Sequence, residues 1–236
     1  MTFDIIADLC FGEPFGGLQD KATHKYIQLL FRLLKSLIAH YIMSHWPLTK
    51  YLKSLVADQS AVQSRKDFYR WIADHTQQRT DRETQRADSM TEILAHSNGD
   101  KGGARLSSAE INANMSIFVL AGSETTATLL SGATYLLCKK PTVLQKLQAE
   151  IRSRWKTYAD ITLDDVSNAP YLLAVLQEAL RYFPPVPTGF ERRVPQGGAV
   201  VSRFFVPEGT ALCVSQYPAN HSARNFKDPD TFVPER

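Results

Sequence analysis

Ala121-Gly122-Ser123-Glu124-Thr125-Thr126 places a glycine, a carboxylic acid and a pair of threonines inside a stretch that otherwise reads as one long apolar helix. Glycine costs a helix about 1 kcal/mol relative to alanine and each threonine several tenths, so the hexapeptide gives up roughly 2 kcal/mol of local stability. Local rules are most often broken where function requires it. The missing side chain of Gly122 leaves a notch, and Glu124 beside Thr125 sets an acid next to a hydroxyl at its rim. That combination suits a proton relay beside a flat or small ligand. A plainer reading stays open, in which the hydroxyls bond back to carbonyls of the preceding turn and Glu124 is a solvated surface acid.

A second pair stands at Glu178-Ala179-Leu180-Arg181, with Leu172, Leu173, Val175 and Leu176 upstream. The i, i+3 spacing puts Glu178 and Arg181 on one helical face. On so apolar a helix the pair is expected to be buried, which demands further hydrogen bonds to offset desolvation. Arginine's planar fork suits that role. ExxR is also a common surface pattern, so the neighbours matter. Tyr182-Phe183-Pro184-Pro185-Val186-Pro187 and Arg192 follow, and the sequence closes on Phe232-Val233-Pro234-Glu235-Arg236.

The elements that must position these groups are mostly helical. Ser107-x-x-Glu110 is a capping box. From it Ile111, Met115, Phe118, Val119, Leu129, Leu130, Ala133, Leu136 and Leu137 recur at three- and four-residue steps until Lys139-Lys140-Pro141 stops the run. About 33 residues at 1.5 Å each span roughly 50 Å, the width of a domain. Upstream, residues 27–46 show an amphipathic spacing through Leu30, Leu33, Leu34, Leu37 and Ile38, a face that packs, touches a membrane or lines a channel. Residues 61–88 read as one charged helix with Phe68, Trp71, Ile72 and His75 as its stripe. Its Arg79, Arg82, Arg86, Asp81, Glu83 and Asp88 read as a solvated face. Breaks are expected at residues 11–17, at Trp46-Pro47 and in a flexible loop at 97–103. Pro141 opens a helix to about Tyr158, Thr162 starts a short turn, and Pro170 sits at the first position of a helix to Tyr182. Beyond the prolines come short strands at 199–201, 204–206 and 211–215. The fold class is mainly α with a small β-sheet, as a single domain.

Composition excludes several classes of function. The chain has 236 residues, 44% of them hydrophobic, and a formal net charge of +3 with its basic residues scattered. No nucleic-acid partner is implied. Cys10, Cys138 and Cys213 are odd in number and widely spaced, which sets aside a disulfide framework or a zinc site. The first residues lack a signal-peptide core, and no run reaches the roughly 18 uncharged apolar residues of a membrane span.

AGSETT in the long helix, ExxR with a proline-rich exit, and the closing FxPER, in that order and spacing, resemble the cytochrome P450 heme-thiolate monooxygenases. The flavour of Thr2 to Gly17 is similar to fungal members, which implies secondary metabolism. The resemblance covers essentially all 236 residues but only about half of a family chain. It implies a partial P450 fold and a heme cofactor, with Glu124 and Thr125 handling protons during dioxygen activation. Ala121 and Gly122 would form the groove over the heme, and Arg192, or its neighbour Arg193, would meet a propionate. Glu178, Arg181 and Arg236 would form a structural triad, and Phe118, Val186, Pro187 and Thr188 would face substrate. The partners implied are a small organic substrate and an NADPH-dependent reductase, in a family usually anchored to the endoplasmic reticulum.

Departures from the family pattern carry equal weight. The family's iron ligand is a cysteine in an FxxGxxxCxG loop beyond PER, and none of the three cysteines here has that context, so no metal ligand is expected among them. The N-terminal anchor and early helices are also missing, and the chain is read as truncated at both ends. Two functions follow: a heme-dependent monooxygenase of which this is a part, or a non-catalytic remnant without heme chemistry.

Overall fold

The computed structural model describes residues 1–17, 19, 27, 29–34, 38, 59–82, 88–97 and 106–236. The expected break at Trp46-Pro47, most of the helix at 27–46, Glu83 and Arg86, and the loop after residue 97 lie outside the described residues. Chain contacts group into two compact units, Met1–Glu124 and Thr125–Arg236.

In the first unit, α1 (Thr2–Phe11) ends on Gly12, whose φ of 77° places it in the left-handed region that glycine reaches without a Cβ penalty. α2 (Gln59–Asp81) and α3 (Ser89–Ser97) follow. The core joins Ala7, Cys10 and Phe11 of α1 to Leu30 and Leu33, to Phe68 and Ile72 of α2, to Met90, and to Ile111, Met115 and Val119. Trp71 lies edge-on to Phe11 and Phe15, with His75 3.9 Å from it between ring centroids.

The charged run expected as one helix to Asp88 instead stops at Asp81. Asp88 starts α3: its Oδ1 accepts from the Thr91 backbone N–H at 2.8 Å and the Thr91 hydroxyl at 2.9 Å. Arg79 closes on it with two bonds of 2.9 Å, and both side chains are buried rather than solvated. Such a pair persists out of water because both carboxylate oxygens of Asp88 are hydrogen-bonded.

α4 (Ser108–Lys139) contains the hexapeptide and continues from the first unit into the second. Its start is the capping box expected from sequence: Ser107 N–H donates to Glu110 Oε2 at 2.8 Å and Glu110 N–H to Ser107 Oγ at 3.3 Å. α5 (Pro141–Arg154) ends earlier than expected, because Trp155 turns extended and Thr157 caps a separate 3₁₀ turn, Tyr158–Asp160. α6 (Leu163–Ser167) is capped by Thr162, and α7 (Pro170–Tyr182) runs as Pro170 implied. Its inner face meets Ala133, Leu136 and Leu147 through Val175 and Ala179, with Phe232 completing the core of the second unit.

Among the described residues, two small antiparallel sheets stand in place of one. β1 (Arg192–Arg193) pairs with β4 (Ala211–Leu212), and β2 (Ala199–Val201) with β3 (Phe204–Val206). The last strand is shorter than the sequence suggested, and α8 (Gln216–Asn220) follows it.

Candidate functional site

α7 delivers Glu178 and Arg181 to a point where the last turns of the chain return. Glu178 is 5% exposed and Arg181 8%, so the charges are held out of water. Every donor of the Arg181 guanidinium has an acceptor. Nε donates to Glu178 Oε2 at 2.8 Å and Nη2 to Oε1 at 2.9 Å. Nη1 donates to the carbonyls of Asn220 and Pro229 at 2.7 and 2.8 Å, and Nη2 also to that of Thr231 at 3.2 Å. Glu178 Oε1 further accepts from the Val233 N–H at 2.9 Å and from Arg236 Nε at 3.0 Å, 58 residues away in sequence. Arg236 also donates to the carbonyls of Lys227, Asp228 and Thr231. Glu178, Arg181 and Arg236 therefore converge. Burial pushes the Glu178 carboxyl up, but the bonds from Arg181, Val233 and Arg236 outweigh it, and its pKa falls below the usual 4.5.

The hexapeptide on α4 presents a different environment. Ser123 is fully buried and its Oγ donates to the Val119 carbonyl at 2.6 Å, the back-bonding that the plainer reading anticipated. The notch at Gly122 receives Ile6 of α1: a Cβ there would lie 2.7 Å from Ile6 Cδ1. Gly122 thus permits a close helix approach within the first unit. Ala121 is exposed, and Gly122, Glu124 and Thr125 are half-buried. Burial alone raises the Glu124 pKa above its ordinary 4.5, so this carboxyl keeps its proton to higher pH than a solvated acid.

Arg192 and Arg193 are adjacent and both exposed, but their partners differ. Arg193 Nη2 lies 3.0 Å from Glu191 Oε1, whereas Arg192 makes only a 3.5 Å contact to the Glu191 carbonyl. Among the described residues, Arg192 is thus the one of the two without a carboxylate partner. Phe118 is 41% exposed on α4; Val186 is half-buried, and Pro187 and Thr188 are exposed, the Pro187 carbonyl accepting the Tyr217 N–H at 3.0 Å.

Sequence reading missed the buried Arg79–Asp88 pair, although Asp88 immediately before the helical Ser89-Met90-Thr91 is a recognisable N-cap signal. It also missed the acids that tie α5 to its neighbours. Glu150 accepts the N–H groups of Tyr171 and Leu172 at 3.1 and 2.9 Å. Glu235 Oε1 takes Lys146 Nζ at 2.7 Å and the Tyr171 hydroxyl at 2.9 Å.

A family model for cytochrome P450 matches residues 1–236. The chain is 55% identical over 235 residues to the cytochrome P450 monooxygenase traB of Penicillium crustosum, covering 100% of this chain and 46% of that protein. To the cytochrome P450 monooxygenase lcsI of Purpureocillium lilacinum it is 40% identical over 235 residues, covering 100% and 45%. The crystal structure of a cytochrome P450 (CYP102L1) superposes with a TM-score of 0.78 at 24% identity over 100% of this chain and 53% of that one, a likeness of fold. The chain belongs to the cytochrome P450 family and spans about half the length of the curated relatives it matches.

That family implies a heme cofactor, a reductase as redox partner and a small-molecule substrate. Cys10 is buried in the first core and its thiol is pushed up to about 11 by burial and by Asp88, the opposite of a ligating thiolate. Cys138 and Cys213 are exposed, and no group of three or more His, Cys, Asp or Glu among the described residues is arranged for a metal ion. No helix among the described residues is long and apolar enough to cross a membrane.

Proposed function

We propose that this chain is part, within a single domain, of a heme-dependent monooxygenase of fungal secondary metabolism. Such an enzyme inserts one oxygen atom of O2 into a small organic substrate and releases the other as water, consuming two protons and two electrons from an NADPH-dependent reductase. The family match and the monooxygenase names of the relatives support the class. The observation that carries this chain's part in it is the half-buried Glu124 carboxyl, raised in pKa by burial and adjacent to Thr125. Glu178 is pushed the opposite way by its arginines. Acids driven apart by their surroundings do different work: Glu178 is fixed as an anion in a structural triad with Arg181 and Arg236, and Glu124 is free to take up and return a proton through the Thr125 hydroxyl.

The remaining assignments follow the same reading. Ala121, small and exposed, lets a flat cofactor approach α4, with Gly122 allowing the helix behind it to close. Arg192, having no carboxylate partner among the described residues, is the better of the two arginines for an anionic propionate. Phe118, Val186, Pro187 and Thr188 face substrate. The test is oxygen coupling in the full-length gene product with reductase and NADPH. Glu124→Gln and Thr125→Val are expected to lower product formed per NADPH consumed by about tenfold or more, with peroxide making up the balance. Unchanged coupling in both variants would remove the proposed roles.

A further inference from the structure

α7, the helix that carries Glu178 and Arg181, has no cap of its own. Its N-cap residue is Ala169, which offers no side-chain acceptor. Pro170 at the first position has no N–H to satisfy, and Leu173 N–H already reaches the Ala169 carbonyl at 3.0 Å. The two orphan donors that remain, on Tyr171 and Leu172, are the two that Glu150 accepts, one on each carboxylate oxygen. A negative charge at this end also complements the helix dipole. Glu150 stands on α5 four residues after Lys146, hence on the same face, and Lys146 holds Glu235, the residue before Arg236. Tyr171 joins both ties: its N–H goes to Glu150 and its hydroxyl to Glu235.

We propose that Glu150 is a positioning residue for the Glu178–Arg181–Arg236 cluster. It sets where α7 begins, and a hydrogen-bonded helix carries that setting two turns on, about 10 Å, to Glu178. Through Tyr171 it also sets where the hydroxyl waits for Glu235, and so where Arg236 arrives. That the cluster serves a heme enzyme rests on the reading above; the positioning itself does not.

Hydrogen exchange followed by mass spectrometry in the full-length gene product tests it. Glu150→Ala is expected to speed exchange at Tyr171 and Leu172 by about tenfold or more, and to lower protection in the segment holding Glu178 and Arg181. Glu150→Gln keeps one acceptor and should restore about half of that protection. Arg154→Ala, which removes the 3.9 Å ion partner of Glu150 without touching the cap, should leave both segments unchanged. Wild-type exchange in Glu150→Ala, or a loss confined to the first turn that leaves Glu178 and Arg181 fully protected, overturns the proposal, as does an Arg154→Ala effect equal to that of Glu150→Ala. The carbon monoxide spectrum of the reduced wild type reports separately on the functional reading. If its thiolate signature is missing, that reading fails while the exchange results still decide the role of Glu150.

Discussion

Arg181→Lys keeps the positive charge and removes the fork, which makes it a sharp test of what holds the second unit together. Five guanidinium N–H groups reach five acceptors in the structure. A lysine offers three donors on one nitrogen and cannot meet Glu178 bidentately while also reaching the carbonyls of Asn220 and Pro229. The Thr231 carbonyl retains Arg236 Nη2 at 2.7 Å, so it is not orphaned. Two half-buried carbonyls losing their donor, at about 1 kcal/mol each, and the weakened ion pair, at about another 1 kcal/mol, sum to about 3 kcal/mol. Against a total stability of about 5–15 kcal/mol that is a large fraction. Urea unfolding of the full-length gene product, read by a probe in the second unit, should show a midpoint lowered by about 1 M with little change in slope. Arg181→Ala leaves Glu178 Oε2 without its donor and frees all three carbonyls from Arg181, while Glu178 Oε1 keeps Arg236 and the Val233 N–H; it should cost more than Arg181→Lys, about 3–5 kcal/mol. An Arg181→Lys midpoint indistinguishable from wild type would refute the argument that the fork, rather than the charge, secures the closing segment.

Three further outcomes are expected. Glu178 and Asp88 both have folded pKa values below their ordinary 4.5 and 3.8, so their stabilisation is complete above those values and is lost as pH falls through the lower folded ones. Urea midpoints measured downward from about pH 5 should therefore fall, with a shallower fall in Glu178→Gln. Gly189→Ala would drive its methyl onto the backbone carbonyl of Val214, which has no rotamer through which to move away; a thermal melt should show a loss of about 2 kcal/mol or more. Arg79→Ala leaves Asp88 charged and buried and should cost about 3–5 kcal/mol in the same assay.

What could be seen in the sequence follows from how local each signal is. The start of α4 was legible because both halves of its capping box, Ser107 and Glu110, lie within one turn, and α7 because Pro170 marks its own position. The premature end of the helix at Asp81 was not, since residues 79–88 contain neither glycine nor proline and their charge pattern continues the helical period. Ile6 filling the notch at Gly122 and Glu150 capping α7 were hidden for another reason. Each is a contact between separate elements, and only the placement of α1 beside α4, or of α5 beside α7, creates it. Arg236 was reached through family resemblance; helical spacing alone shows that Glu178 and Arg181 need further partners, without saying which. Glu124 stood out by type and position, but its raised pKa depends on burial that only the fold reveals.

The central claim is that these residues belong to a heme-thiolate monooxygenase, and the most direct measurement is the absorption spectrum of the purified full-length gene product, reduced under carbon monoxide. The account predicts stoichiometric heme and the spectral signature of cysteine coordination. A protein that is folded, with Glu178 and Arg181 protected, yet takes up no heme or gives a carbon monoxide adduct without that signature would contradict it.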